Sequence, residues 1–168
     1  MESRVKLFGH PIHPMLIVFP LGLLAIGFIL DIVYLITQNA TWAMVAYYDI
    51  IFGIILGLVA AVFGFLDWLS IPGGTRAKRI GLLHGGGNVV VVLLFLISWF
   101  VRRGEPGRLP STTAFILALL GILLALVTGW LGGELVDRLG VGVDRGANLN
   151  APSSLSGQPA DSARAAGD

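Results

Sequence analysis

The chain has 168 residues, 55% of them hydrophobic and 12% charged, with a mean hydropathy of +0.85. A domain this small must keep a polar surface in water, so the composition excludes a soluble enzyme and sets the outer face against lipid. A formal charge of +1 leaves no basic field for nucleic acid, and the lack of cysteine excludes disulfides, thiolate zinc sites, Cys-attached haem and iron–sulfur clusters held by this chain.

The chain opens with Arg4 and Lys6, followed by His10-Pro11-Ile12-His13-Pro14. Pro14 suits a first helical position and turns His13 away from helical torsions, so both histidines are expected on a rigid entry loop. The apolar run Met15 to Ile36 is too long for a cleavable secretory signal and lacks an Ala-x-Ala site, so it predicts a membrane helix over about 14–36. A second helix is expected over 42–69, with Gly53, Gly57, Ala60, Gly64 and Asp67 on one stripe. Pro72-Gly73-Gly74 breaks the chain before a third helix over 79–101, where Asn88 follows His84 by one turn. Gly81, Gly85, Gly86 and Gly87 surround that histidine. Each costs roughly 1 kcal/mol against Ala in a helix, which a close helix crossing or a planar cofactor over the glycines would offset. After Gly104, Pro106, Gly107 and Pro110 comes a fourth helix over 111–133, with Gly121, Ala125, Thr128 and Gly132 on one stripe.

Short links between four spans predict an all-α, integral membrane, up-and-down four-helix bundle over residues 1–146, with both termini on one face. The glycine stripes suit an internal bundle and a homo-oligomer equally. No internal repeat is evident, and a duplicated helix pair is not assumed. Residues 147–168 are rich in Ala, Ser, Gly and Pro without an apolar period and are expected to be a disordered tail. Arg4, Lys6, Arg76, Lys78, Arg79 and Arg138 share the face of the termini against Arg102, Arg103 and Arg108 on the other, so the termini are expected in the cytoplasm. Trp42, Trp68, Trp99 and Trp130 fall near the helix ends, as an interfacial belt requires.

This topology brings His10, His13 and His84 to one face, where Asp67 lies near the same level. A ligating imidazole gives its other N–H to a carboxylate or carbonyl, a role Asp67 suits. Asp67, Glu134 and Asp137 also suit interfacial pairs with Arg76, Lys78, Arg79 or Arg138. At the opposite face Asp31 and Asp49 either share a proton-carrying pocket, solvate at the helix ends or pair with Arg102 or Arg103. The reading put first is a cytochrome b-like electron carrier, with haem b held by His84 and either His13 or His10, and Asp67 and Asn88 in support. A second reading makes His10, His13 and His84 a mononuclear site for Zn, Fe, Mn or Cu with Asp67, or part of an ion or proton transporter. A third makes the chain a structural or assembly subunit without cofactor, its histidines bonded to backbone and phospholipid. No nucleophile elbow, phosphate loop or His-Glu-x-x-His motif occurs, and no stand-alone enzymatic activity is expected.

The segments Gly9 to Leu23, Gly64 to Trp68, His84-Gly-Gly-Gly-Asn88 and Gly129 to Val143 resemble the bacterial predicted-membrane-protein family called domain of unknown function 2231. The likeness runs over about residues 4–145. It implies a multi-pass protein of the bacterial inner membrane, with His10, His13, Pro14, Asp31, Asp67, His84, Asn88, Gly132 and Gly133 as retained hallmark positions. Some relatives carry a Rieske-type domain, which implies membrane electron transfer. This chain's tail has neither Cys nor His, so such a redox partner would be a separate protein.

Overall fold

A computed structural model describes residues 1–162. Four helices run α1 (Ile12–Thr37), α2 (Ala40–Ser70), α3 (Arg76–Arg103) and α4 (Thr112–Gly133), and each is long and apolar enough to cross a membrane. The 26 residues of α1 span about 39 Å at 1.5 Å each, more than a hydrocarbon core of about 30 Å. Side chains such as Val18, Leu21, Phe52, Leu58, Leu123 and Leu126 point outward, the surface a bilayer wants and water does not.

Polar residues at the links start three of the helices. Asn39 accepts from Thr41 N at 3.0 Å, Thr75 from Lys78 N at 3.1 Å and Ser111 from Ala114 N at 3.4 Å. The first helix begins two residues before Pro14, so His13 sits in its opening turn instead of on a loop. Pro14 is tolerated there because the first four backbone N–H groups of a helix have no internal acceptor to lose. A π-helical turn, Glu134–Arg138, extends the end of α4.

α1 packs closely on α2 and α3 on α4, and the two hairpins then lie side by side. Small residues permit the close approach: a Cβ on Gly53 would meet Leu24 at 2.9 Å, and one on Gly121 would meet Phe95 at 2.8 Å. The core between the hairpins is Leu24, Phe28, Ile50, Ile54, Val91, Phe95 and Ala118.

The N-terminus and the described segment that follows α4 lie at the end of the bundle that holds the α2–α3 link. There β1 (Lys6–Leu7) pairs antiparallel with β2 (His10–Pro11) through Phe8 and Gly9, at φ 51° and 84°. Positive φ at both central residues is the turn that matches strand twist. The chain beyond α4 holds this ribbon: Gly142 N donates to Met1 O at 2.7 Å, and the Lys6 ammonium bonds Glu2 and Asp144. Those two carboxylates hold Lys6 above its ordinary value, and Lys6 holds Glu2 below its own. Of the segment expected as a disordered tail, residues 163–168 lie outside the described residues. Residues 147–162 form turns, one of which brings the Ser154 hydroxyl to Phe8 O at 3.0 Å.

Candidate functional site

Two of the three histidines meet. His13 projects from the first turn of α1 and His84 from the third turn of α3, with ring centres 6.5 Å apart and planes at 88°. Each belongs to a different hairpin, so the pair bridges the two halves of the bundle.

Each ring is anchored in the same way. His13 Nδ1 lies 2.9 Å from Ala60 O on α2, and His84 Nδ1 lies 2.8 Å from Thr128 O on α4. A carbonyl oxygen only accepts, so Nδ1 carries the proton and, in a neutral imidazole, Nε2 keeps the lone pair. Glycine makes room beneath each ring: a Cβ on Gly64 would stand 2.8 Å from His13 Cε1, and one on Gly132 3.1 Å from His84 Cε1. The stripes of small residues on α2 and α4 thus serve the histidines as well as helix packing.

His84 has further support. Asn88 Nδ2 donates to His84 O at 2.9 Å and approaches His84 Nε2 at 3.3 Å, while its Oδ1 accepts from the Thr128 hydroxyl at 2.9 Å. Sequence reasoning missed Thr128 as a partner, although it stood on the small-residue stripe; a buried hydroxyl among Gly and Ala was the signal. The glycines around His84 divide by role. A Cβ on Gly81 would strike Trp68 at 2.7 Å and one on Gly87 would strike Thr128 at 2.5 Å, so helix packing accounts for these two. Gly85 and Gly86 have nothing within 4 Å of such an atom, and packing accounts for neither.

The structure leaves His10 and Asp67 elsewhere. His10 is exposed on the ribbon, with Nε2 3.3 Å from Ser154 Oγ. Asp67 Oδ1 accepts from the Ser3 hydroxyl at 2.6 Å and from Arg4 N at 2.8 Å, holding the N-terminal segment over the end of α2. Glu134 pairs with Arg76 at 2.6 Å. Among the described residues no three His, Cys, Asp or Glu side chains gather as a metal-binding group.

At the far end of the bundle Asp31 pairs with Arg102 at 3.0 Å, with the two side chains 1% and 0% exposed. The guanidinium also donates to Ala43 O at 2.8 Å and Arg108 O at 3.0 Å, while Asp31 Oδ1 has no described partner. Of the roles open to Asp31, pairing with Arg102 is the one realised. Asp49 lies half-buried on α2 beside Gly27 and is not part of this pair.

A family model described as a predicted membrane protein, DUF2231, matches residues 9–145, which takes in the histidine pair, its carbonyl anchors and the buried ion pair. The chain belongs to that family. No curated protein and no solved structure matches it at a significant level. Four apolar helices and this membership make it a multi-pass membrane protein.

Proposed function

We propose that the protein is a small membrane cytochrome in which His13 and His84 would hold the iron of one b-type haem. The observation that carries the reading is the spacing of the two anchored imidazoles. Two imidazoles from different hairpins, each fixed through Nδ1 and with ring centres 6.5 Å apart, could hold one iron between them. A haem brings four nitrogens of its own, so two protein ligands suffice, which suits a site where no third ligand gathers among the described residues. Haem would supply a one-electron change at iron.

The chain's own residues perform the rest. Ala60 O and Thr128 O hold the two Nδ1–H groups, leaving Nε2 as the ligating nitrogen of each ring. Asn88 would give up its long contact to His84 Nε2 and keep its bonds to His84 O and Thr128. Orientation follows from the basic residues: burial of Arg102 in its ion pair leaves Arg103 and Arg108 on that face against Arg4, Lys6, Arg76, Lys78, Arg79 and Arg138 on the other. That bias favours cytoplasmic termini in a bacterial inner membrane, so the haem end would face the cytoplasm and exchange electrons with a separate redox protein.

The test is an absorption spectrum of the detergent-purified protein, oxidised and dithionite-reduced, made in cells supplied with haem precursor, with elemental analysis of the same sample. A Soret band that shifts on reduction and is lost in His84→Ala and in His13→Ala is expected. A colourless, folded protein refutes the proposal, and stoichiometric copper or zinc in it would give the histidine pair a bare metal instead.

A further inference from the structure

The two hairpins repeat each other. A shift of 71 residues carries the buried Pro20, Leu24, Gly27 and Asp31 of α1 onto Val91, Phe95, Ser98 and Arg102 of α3, all buried. A shift of 68 carries Ala46, Ile50, Gly53 and Ala60 of α2 onto Ala114, Ala118, Gly121 and Thr128, the buried residues of α4. The chain reads Gly-Ile-Ile-Leu-Gly-Leu-Val-Ala from Gly53 to Ala60 and Gly-Ile-Leu-Leu-Ala-Leu-Val-Thr from Gly121 to Thr128.

Contacts within the hairpins obey the same shifts. Leu24 lies over Gly53 as Phe95 lies over Gly121, and His13 bonds Ala60 O as His84 bonds Thr128 O. Gly27 faces the Ala46 carbonyl, and its counterpart Ser98 donates to the Ala114 carbonyl at 2.7 Å. Contacts between the hairpins obey them too. Phe28 stacks on Phe115 with centres 5.3 Å apart, and the counterparts Trp99 and Tyr47 stack at 5.2 Å. When residue i touches j and the counterparts of both also touch, the interface is isologous, which is the mark of a two-fold axis. His13 with His84 and Asp31 with Arg102 are each a position that meets its own counterpart, so both pairs lie on the axis.

We infer that the chain is one helical hairpin duplicated and fused, and that Asp31 on one hairpin and Arg102 on the other determine which hairpin pairs with which. Two hairpins with Asp there would press two carboxylates together within the bilayer, and two with Arg would press two guanidinium groups together. With Asp on one and Arg on the other, each accepts its counterpart and rejects a copy of itself. With the charges exchanged, an arginine at position 31 would find in Ser111 O, at the start of α4, the counterpart of the Ala43 O that Arg102 now uses.

The test uses the full chain in detergent. Asp31→Arg and Arg102→Asp, each placing like charges on the axis, should lose monodisperse protein by size exclusion and lower the thermal midpoint. The double variant D31R/R102D should recover more than half of the midpoint lost by the worse single variant. A folded double variant that recovers less overturns the inference. If the double variant yields no folded protein, Gly27→Ser against Gly27→Ala decides. Both put a Cβ 3.1 Å from Ile50, but only serine can donate to Ala46 O as Ser98 does to Ala114 O. A higher midpoint for Gly27→Ser than for Gly27→Ala supports equivalent hairpins, and an equal or lower one overturns them.

Discussion

Replacing Gly64 by Ala should destabilise the bundle although alanine is the better helix former. The new Cβ would stand 2.8 Å from His13 Cε1 and 2.9 Å from Nδ1, so the ring must shift and its 2.9 Å bond to Ala60 O stretches or breaks. Overpacking of this kind costs about 1–3 kcal/mol and the lost hydrogen bond about 0.5–1.5, against about 1 gained from helix propensity, for a net loss of about 0.5–3.5 kcal/mol. Gly85→Ala is the control, because no atom lies within 4 Å of its new Cβ. It should be neutral or gain up to about 1 kcal/mol. Unfolding titrations in mixed micelles read the difference, and spectra of the same two proteins read its effect on the histidine site. Gly64→Ala as stable as Gly85→Ala would refute the tight seating of His13, and with it the claim that the ring is held ready to ligate.

Removing His10 should leave any haem spectrum unchanged, since the structure puts it on the exposed ribbon beside Ser154 and away from the facing pair. Asp67→Ala should likewise spare the spectrum while loosening the N-terminal segment, read as faster proteolysis before α1, because Ser3 and Arg4 lose their acceptor. Asp31→Leu strands a fully buried guanidinium and should cost about 3–5 kcal/mol, whereas Asp31→Leu with Arg102→Leu should return close to the parent in micelle unfolding. The ribbon should also respond to pH. Lys6 titrates above its ordinary 10.5, so its contribution is complete below that value and fades as the pH rises through the raised one. Glu2 titrates below its ordinary 4.5, so its share is complete above that value and fades as the pH falls through the lowered one. Amide-exchange protection over residues 1–11, taken relative to the intrinsic rate at each pH, should therefore be greatest between these limits and fall at both extremes.

The four spans were legible because apolar runs of membrane length are the strongest signal a sequence offers, and the capping residues Asn39, Thr75 and Ser111 sit where the runs begin. Topology then brought the histidines to one end, but chain order alone does not say which face of a helix a residue takes. His13 enters the bundle because α1 starts at Ile12, early enough to aim it at Ala60; His10 falls in a strand and turns away. Asp67 stood at the right depth for an imidazole, yet Ser3 and Arg4 reach it first because the N-terminal ribbon folds back over α2. The duplication was hidden in α1 and α3, where lipid accepts Leu, Ile, Val and Phe alike and the shared pattern is one of burial more than of identity. In α2 and α4 it was written out between Gly53 and Ala60 and between Gly121 and Thr128, where close packing restricts the choice.

The two-fold also separates the proposed electron carrier from a transporter. His13 and Asp31 are 18 residues apart on α1, as are His84 and Arg102 on α3, which sets the two polar pairs about 27 Å apart along the axis. Between them the axis is packed with Leu24, Phe95, Ile50, Ile54, Val91 and Ala118. A hydrated ion or a proton relay needs polar partners along its path, and in this conformation the packed core offers it none. An electron needs no such path to leave a centre at one mouth of the bundle toward a partner on the same side. The polar groups at the far end are bound to each other, since Arg102 spends its donors on Asp31, Ala43 O and Arg108 O, so that end is built to hold the hairpins together. The proposed chemistry sits at the histidine end, where the carbonyl anchors engage only Nδ1 of each ring and His84 Nε2 has just its 3.3 Å contact with Asn88.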